Sequence, residues 1–191
     1  MLAEALGKAR VKLRTTREPG GVESAERIRA LLVAGEVDAW RPLTEVLLHY
    51  AARLEHVERV IRPALAAGEW VLCDRFADST MAYQGYGHAI DRGMIASLHR
   101  HVLGEFQPDL TLVLDVPVEE GLKRSAARAG DATRYERMDR AFHERVRQGF
   151  LEIAAQNPGR CVVFDARRAP ERLATDLRLA LAQRFQLRFP A

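Results

Sequence analysis

The chain has 191 residues, 48% hydrophobic and 29% charged, the usage of an ordinary globular protein, which excludes extensive disorder. Twenty-nine Lys and Arg against 26 Asp and Glu leave a formal charge of +3, too slight a bias for a nucleic-acid binder with its clustered basic stripe. No apolar run approaches the ~18 residues of a membrane span, and Met1 to Leu6 is too short and polar for a signal peptide, so the chain reads as cytoplasmic.

Short apolar runs alternate with helical patterns along the sequence. Val11 to Thr15 is the first strand, and Glu23–Ala34 the helix after it. From Thr44 to Ala67 the residues Leu47, Tyr50, Ala51, Leu54, Val57, Val60, Ile61 and Leu65 mark one broad helical face. Thr44 is the expected N-cap of this helix, Gly68 its stop, and Pro63 a bend or division within it. Trp70 to Cys73 is the second strand, followed by a helix over Arg92–Leu103, a strand over Leu110 to Val116 and a helix over Val118–Ala129. A helix over Glu136–Ala155, a strand over Cys161 to Asp165 and a helix over Pro170–Phe185 complete the pattern. Cys73 and Cys161 sit in such strands and read as buried thiols of a reducing compartment.

Strands joined by helices imply a parallel sheet with helices on both faces, in one domain spanning residues 1–191. Sheets of this kind bind ligands beyond the carboxyl ends of their strands. That edge carries Thr15-Thr16-Arg17-Glu18, Asp74-Arg75, Asp115 and Asp165, so a site is expected there.

Four segments could carry chemistry. Thr16-Arg17-Glu18-Pro19-Gly20-Gly21 places a sharp turn directly after a strand, where backbone can approach a ligand; Pro-Gly-Gly alone would be an ordinary turn. Asp74-Arg75 ends the second strand, where Arg can clamp a phosphate and Asp can hold a magnesium water; alone it could be a surface ion pair. In Ser79-Thr80-Met81-Ala82-Tyr83-Gln84-Gly85, helical spacing puts Thr80, Tyr83 and Gln84 on one face, a set able to read a pyrimidine edge or merely to start a polar helix. His49 and Arg53 are four apart on the long helix, able to stack on a base and bond its carbonyl; nearby Glu55, Glu58 and Arg59 also allow a solvated face. His99 and His101, two apart, point to different faces and do not make a metal pair.

Taken in order, TREPGG, YAAR on a long helix, DR at a strand end and STMAYQG resemble the bacterial thymidylate kinase family from about Thr15 to Asp165. Pro63 to Val71 and Pro108 to Val116 match it as well. The resemblance implies a P-loop-kinase-like α/β fold, a homodimer packed through the long helices, and ATP-dependent phosphorylation of dTMP to dTDP with Mg2+. It also implies site residues. Glu18 lines the dTMP site; Arg29 and Arg75 reach the 5′-phosphate; Arg53 bonds the thymine carbonyl; Thr80 and Gln84 read the thymine edge; Tyr83 crowds the sugar 2′ position. Asp74 organises magnesium through water and counts with the catalytic groups, together with Arg128 and Arg134 of a lid over about 124–137.

The sequence departs from the family pattern in three places. The family opens with a strand and a Gly-rich P-loop ending Gly-Lys-Thr or Gly-Lys-Ser, whereas Gly7-Lys8-Ala9 lacks the upstream Gly and the hydroxyl. Met1 to Ala9 resembles the tail of the helix after that loop. The expectation is therefore a chain shortened at its N-terminus, without a central strand or any ATP-gripping residues, and catalytically dead as it stands. His49 replaces an aromatic that stacks on thymine, with Tyr50 beside it as a substitute. The lid reads Thr133-Arg134-Tyr135-Glu136 in place of Asp-Arg-x-Glu, with Arg124 and Arg128 upstream. Two alternatives stay open at this point: a thymidylate-binding pseudoenzyme and another nucleoside monophosphate kinase.

Overall fold

The structure, a computed structural model, describes residues 1–127 and 133–190. It opens with helix α1 (Leu2–Lys8) and strand β1 (Leu13–Arg17), followed by α2 (Glu23–Val33). Helix α3 (Pro42–His56) passes through one wide turn, Val57–Ile61, into α4 (Arg62–Ala66). Strand β2 (Trp70–Asp74) leads to α5 (Ala77–Thr80), which widens over Met81–Gly87, and to α6 (Arg92–Leu103). Then come β3 (Thr111–Asp115), α7 (Val118–Ala126), a 3-10 turn (Arg134–Arg137), α8 (Arg140–Gln156), β4 (Cys161–Asp165) and α9 (Pro170–Phe185).

Local chemistry explains where these elements depart from the sequence expectations. The first strand lies two residues later, because its ladder with β2 runs from Leu13 opposite Trp70 to Arg17 opposite Asp74. Its polar end is carried by backbone pairing, which apolarity does not reveal. The long helix starts at Pro42 with Arg41 as N-cap, not at Thr44, since proline is pre-set for a first helical position. Gly68, at φ 71°, does end it. The expected disturbance at Pro63 takes the form of the wide turn just before it, which accommodates the missing N–H and the ring. The helix expected over Glu136–Ala155 is divided. Thr133 and Glu136 form a capping box for the 3-10 turn, and Asp139 Oδ1 accepts from Phe142 N at 2.6 Å to start α8.

The described strands form two two-stranded parallel sheets, β1–β2 and β3–β4, instead of the single sheet expected. Side chains and helices join them. Val57, Ile61, Phe76 and Leu103 form one buried cluster, Val46, Tyr50 and Ile95 a second, and Ala82, Phe142, Val146 and Ile153 a third. Val102 packs against the first two, and Met81 against the last two. Asp78 on α5 also holds Arg160, the residue before β4, through two 2.7 Å bonds. Both cysteines are free, Cys161 buried and Cys73 half-buried. No helix among the described residues is long and apolar enough to cross a membrane.

Candidate active site at the carboxyl edge of the first sheet

The ends of β1 and β2 are tied together where the turn begins, Glu18 N donating to Asp74 O at 2.9 Å. Glu18 then points inward and is buried. Beyond it Gly20 and Gly21 take φ 130° and 87°, a region that only glycine enters freely. The turn is held from α2, whose Glu26 accepts from Gly21 N at 2.9 Å and from Arg17 at 2.9 and 3.1 Å. The Gly21 N–H, followed by the Arg17 guanidinium, lowers the Glu26 carboxyl below its usual range despite partial desolvation. Arg29, one turn further along α2, donates to Pro19 O at 2.9 Å.

Helix α3 brings the opposing wall. Arg53 donates through Nε to Glu18 Oε2 at 2.7 Å and through Nη2 to Thr80 Oγ1 at 2.9 Å. Its guanidinium lies 4.7 Å from the Tyr50 ring centroid, a cation–π contact. Tyr50 belongs to the core and meets His99 edge-on on another side. It therefore offers no open face to a base and does not substitute for a stacking aromatic. His99 in turn bonds Phe106 O, and His101 bonds Ser97 O, so each serves its own helix end.

A second buried carboxylate sits one turn inside α3. Glu45 Oε2 accepts from Gln84 Nε2 at 2.9 Å and from the Tyr135 hydroxyl at 3.0 Å, while Oε1 pairs with Arg134 at 2.6 Å. Burial first, and then the Glu45 charge, push the Tyr135 phenol up, so it keeps its proton and donates to Glu45. With that proton committed, His49 Nε2, 3.1 Å away, donates to the phenol oxygen. Desolvation and the guanidinium groups of Arg53, Arg134 and Arg75 push the His49 imidazole down to about 3, so it is neutral at physiological pH. Tyr135 also packs edge-on against Tyr83 at 5.5 Å, and Arg75 lies 5.1 Å from the Tyr83 ring centroid. Arg75 is exposed and holds φ 68°, a left-handed conformation costing about 1–2 kcal/mol for an L residue.

The structure thus brings together Glu18, Arg53 and Thr80 in one network and Gln84, His49 and Tyr83 around Tyr135. Thr80 and Gln84 are both buried, as their four-residue spacing on a helix facing α3 requires. Two atoms of this set are buried with no hydrogen-bond partner among the described residues, Arg53 Nη1 and Gln84 Oε1. One is a donor and the other an acceptor. Asp74 is exposed at the end of β2. No group of three or more His, Cys, Asp or Glu able to hold a metal occurs among the described residues. Burial, then Glu18 and Asp74, push the Cys73 thiol up, so it is no nucleophile.

Arg134 is fully buried, donating to Leu32 O at 3.2 Å and Val37 O at 3.1 Å besides its pair with Glu45. It is a tie between the 3-10 turn and the α2–α3 connection, not a cation projecting from a lid. Arg124 bonds Ala166 O at 2.8 Å and pairs with Glu120. Arg128 lies outside the described residues. Three residues of the network, Glu45, Tyr135 and His56, whose Nδ1 lies 3.1 Å from Glu18 Oε1, were not singled out from the sequence. The one available signal was the spacing of His56, three residues after Arg53 on the same helix face.

The family model described as thymidylate kinase matches residues 1–177. The thymidylate kinase of Caulobacter vibrioides is 58% identical over 165 residues, covering 86% of this chain and 79% of that protein. That of Bradyrhizobium diazoefficiens is 46% identical over 185 residues, covering 96% and 81%. The crystal structure of thymidylate kinase from Ehrlichia chaffeensis superimposes with a TM-score of 0.69 at 35% identity, covering 89% of this chain and 80% of that one. With a parallel α/β framework, the motif order and these matches in agreement, the chain belongs to the thymidylate kinase family.

Proposed function

We propose that the chain provides the dTMP side of an ATP-dependent dTMP kinase, and that its base pocket is read by Arg53, Gln84 and Thr80. The observation that carries this reading is that Arg53 Nη1 and Gln84 Oε1 are among the buried atoms without a hydrogen-bond partner among the described residues. A thymine edge offers a carbonyl acceptor beside a ring N–H donor, the complement of that pair. Cytosine offers an amino donor beside a ring acceptor, which mismatches both atoms and leaves buried polar groups unsatisfied. Titrating the chain with dTMP and with dCMP tests the reading. A preference for dTMP of at least about 100-fold is expected, and equal affinities would contradict it.

Arg75 and Arg29 are proposed to hold the 5′-phosphate. The strained backbone of Arg75 supports this, since such strain concentrates where function requires it. Arg75→Ala is expected to weaken dTMP about 10- to 100-fold, the value of one charge-assisted bond. Thymidine, which lacks the phosphate, should bind the variant and the wild type alike in the same calorimetric titration. Tyr83 is proposed to crowd the sugar, His49 to border the base, and Glu18 to orient Arg53. Asp74, exposed at its strand end, would reach magnesium through water, and the ion would neutralise phosphate charge. Arg134 anchors the turn, and Arg128 is proposed as the catalytic lid cation on the family resemblance.

The grip on ATP is a separate matter. Gly7-Lys8-Ala9 lies at the end of α1 without the hydroxyl that would bind magnesium, so these residues do not fit a triphosphate. Leu114, Val162 and Val163 on the second sheet are exposed, and β2 and β3 share no ladder. Both facts support a further strand between the sheets as part of the complete fold, and dTMP binding without phosphoryl transfer by residues 1–191 alone. On α3 the exposed residues Leu43, Leu47, Ala51 and Leu54 form a stripe at helical spacing, which supports a homodimer packed through this helix. Sedimentation should give twice the 21.5 kDa chain mass, and a concentration-independent monomer would contradict the dimer.

A further inference from the structure

We infer that His56 is a positioning residue for base recognition, acting through Glu18 on Arg53. The inference rests on Arg53 being the base donor proposed above. His56 is completely buried, and both of its ring nitrogens are engaged. Nε2 lies 2.7 Å from Thr16 Oγ1, and Nδ1 lies 3.1 Å from Glu18 Oε1.

The direction of each bond follows from what each group can do. Arg53 has only donors, so Glu18 Oε2 accepts from Nε and Thr80 Oγ1 accepts from Nη2. The other oxygen of the Glu18 carboxylate also accepts, so His56 Nδ1 carries a proton. In a neutral ring Nε2 is then the acceptor, receiving the Thr16 hydroxyl proton. A single chain of bonds results, from Thr16 through His56, Glu18 and Arg53 to Thr80. It crosses from β1 to α3 to α5 and leaves Nη1 as the nitrogen of Arg53 without a hydrogen-bond partner among the described residues.

Thr16, His56 and Glu18 also have the order of a hydroxyl–imidazole–carboxylate triad, but the site is closed to a substrate. A β-carbon built on Gly21 would lie 2.5 Å from Thr16 Oγ1 and 2.6 Å from the His56 ring, so the Gly21 backbone already covers both groups. No electrophile could approach that hydroxyl. Without His56, Glu18 loses the bond that fixes one of its two oxygens. The carboxylate can then rotate, and Arg53 keeps its charge partner while losing its fixed aim. His56 therefore bears on which base is chosen more than on whether the fold stands.

The test uses the 191-residue chain and its variants His56→Leu, His56→Asn and Arg53→Leu, titrated with dTMP and dCMP, with circular dichroism confirming each fold. His56→Leu is expected to lower dTMP affinity about 10-fold or more and to narrow the dTMP-to-dCMP preference by a similar factor. His56→Asn places an amide N–H near the position of Nδ1 and should recover most of both. Nitrogen-15 NMR of the wild type should show His56 protonated at Nδ1, a result that does not depend on any variant folding. A folded His56→Leu protein with wild-type affinity and preference would overturn the inference, as would protonation at Nε2 alone. If Arg53→Leu also keeps the preference, the base reading itself fails. If Arg53→Leu loses it and His56→Leu keeps it, only the relay fails.

Discussion

Arg53→Leu is expected to abolish measurable dTMP binding and to destabilise the chain by about 3–5 kcal/mol, the range for breaking a buried ion pair by removing one partner. The Arg53 and Glu18 side chains are only 2% and 3% exposed, so water cannot take over from the lost guanidinium. Glu18 would keep His56 as its remaining partner, and Thr80 would lose the donor that holds its hydroxyl. Urea unfolding separates this cost from the loss of binding. In the double variant Glu18→Leu/Arg53→Leu the stranded charge is gone. Stability should therefore recover by a substantial part while binding stays lost. Binding that survives Arg53→Leu would remove Arg53 from the base pocket.

Glu45→Gln is the second large effect. The carboxylate is buried at the meeting point of Arg134, Gln84 and Tyr135, with His88 3.8 Å away. An amide keeps the shape but carries no charge and turns one acceptor into a donor, leaving the fully buried Arg134 without a counter-charge. A destabilisation of about 3–5 kcal/mol is expected. The 3-10 turn should be the first region to loosen, because Arg134 is its tie to Leu32 and Val37. Hydrogen exchange should therefore quicken over 133–138 before it quickens in β1 or β2. Affinity for dTMP should fall as well, since Glu45 fixes the Gln84 amide whose Oε1 is proposed to meet the base. Unchanged exchange over the turn would show that the two backbone carbonyls are sufficient anchors.

The grouping of several residues of the candidate site was legible in the sequence, because those parts obey local rules. The turn after β1 announced itself through Pro19-Gly20-Gly21, and Thr80 and Gln84 through a four-residue spacing. Helix bounds at Arg92–Leu103 and Pro170–Phe185 and strand bounds at Cys161–Asp165 match as well, each with strong periodicity or a clear apolar run. What escaped was non-local. Glu45 looks like an ordinary first-turn acid on α3, and nothing near it tells of Arg134, 89 positions later, against which it is buried. His56 lies among Glu55, Glu58 and Arg59, a setting that reads as solvated, yet its own ring faces β1. Tyr135 sits in a four-residue turn that resembles a helix start, and its contacts with His49 and Tyr83 arise only on folding. The single sheet expected from the strand–helix alternation is two sheets here, since a strand's own pattern does not name its neighbour, while the expected lack of a central strand is in keeping with the split.

The most direct measurement is an isothermal titration of the 191-residue chain with dTMP and, separately, with ATP and magnesium. A saturable dTMP isotherm, lost in Arg53→Leu, and no ATP isotherm are expected. Binding of ATP but not dTMP would contradict the proposed function, because the buried network of Glu18, Arg53, Thr80 and Gln84 would then serve no base.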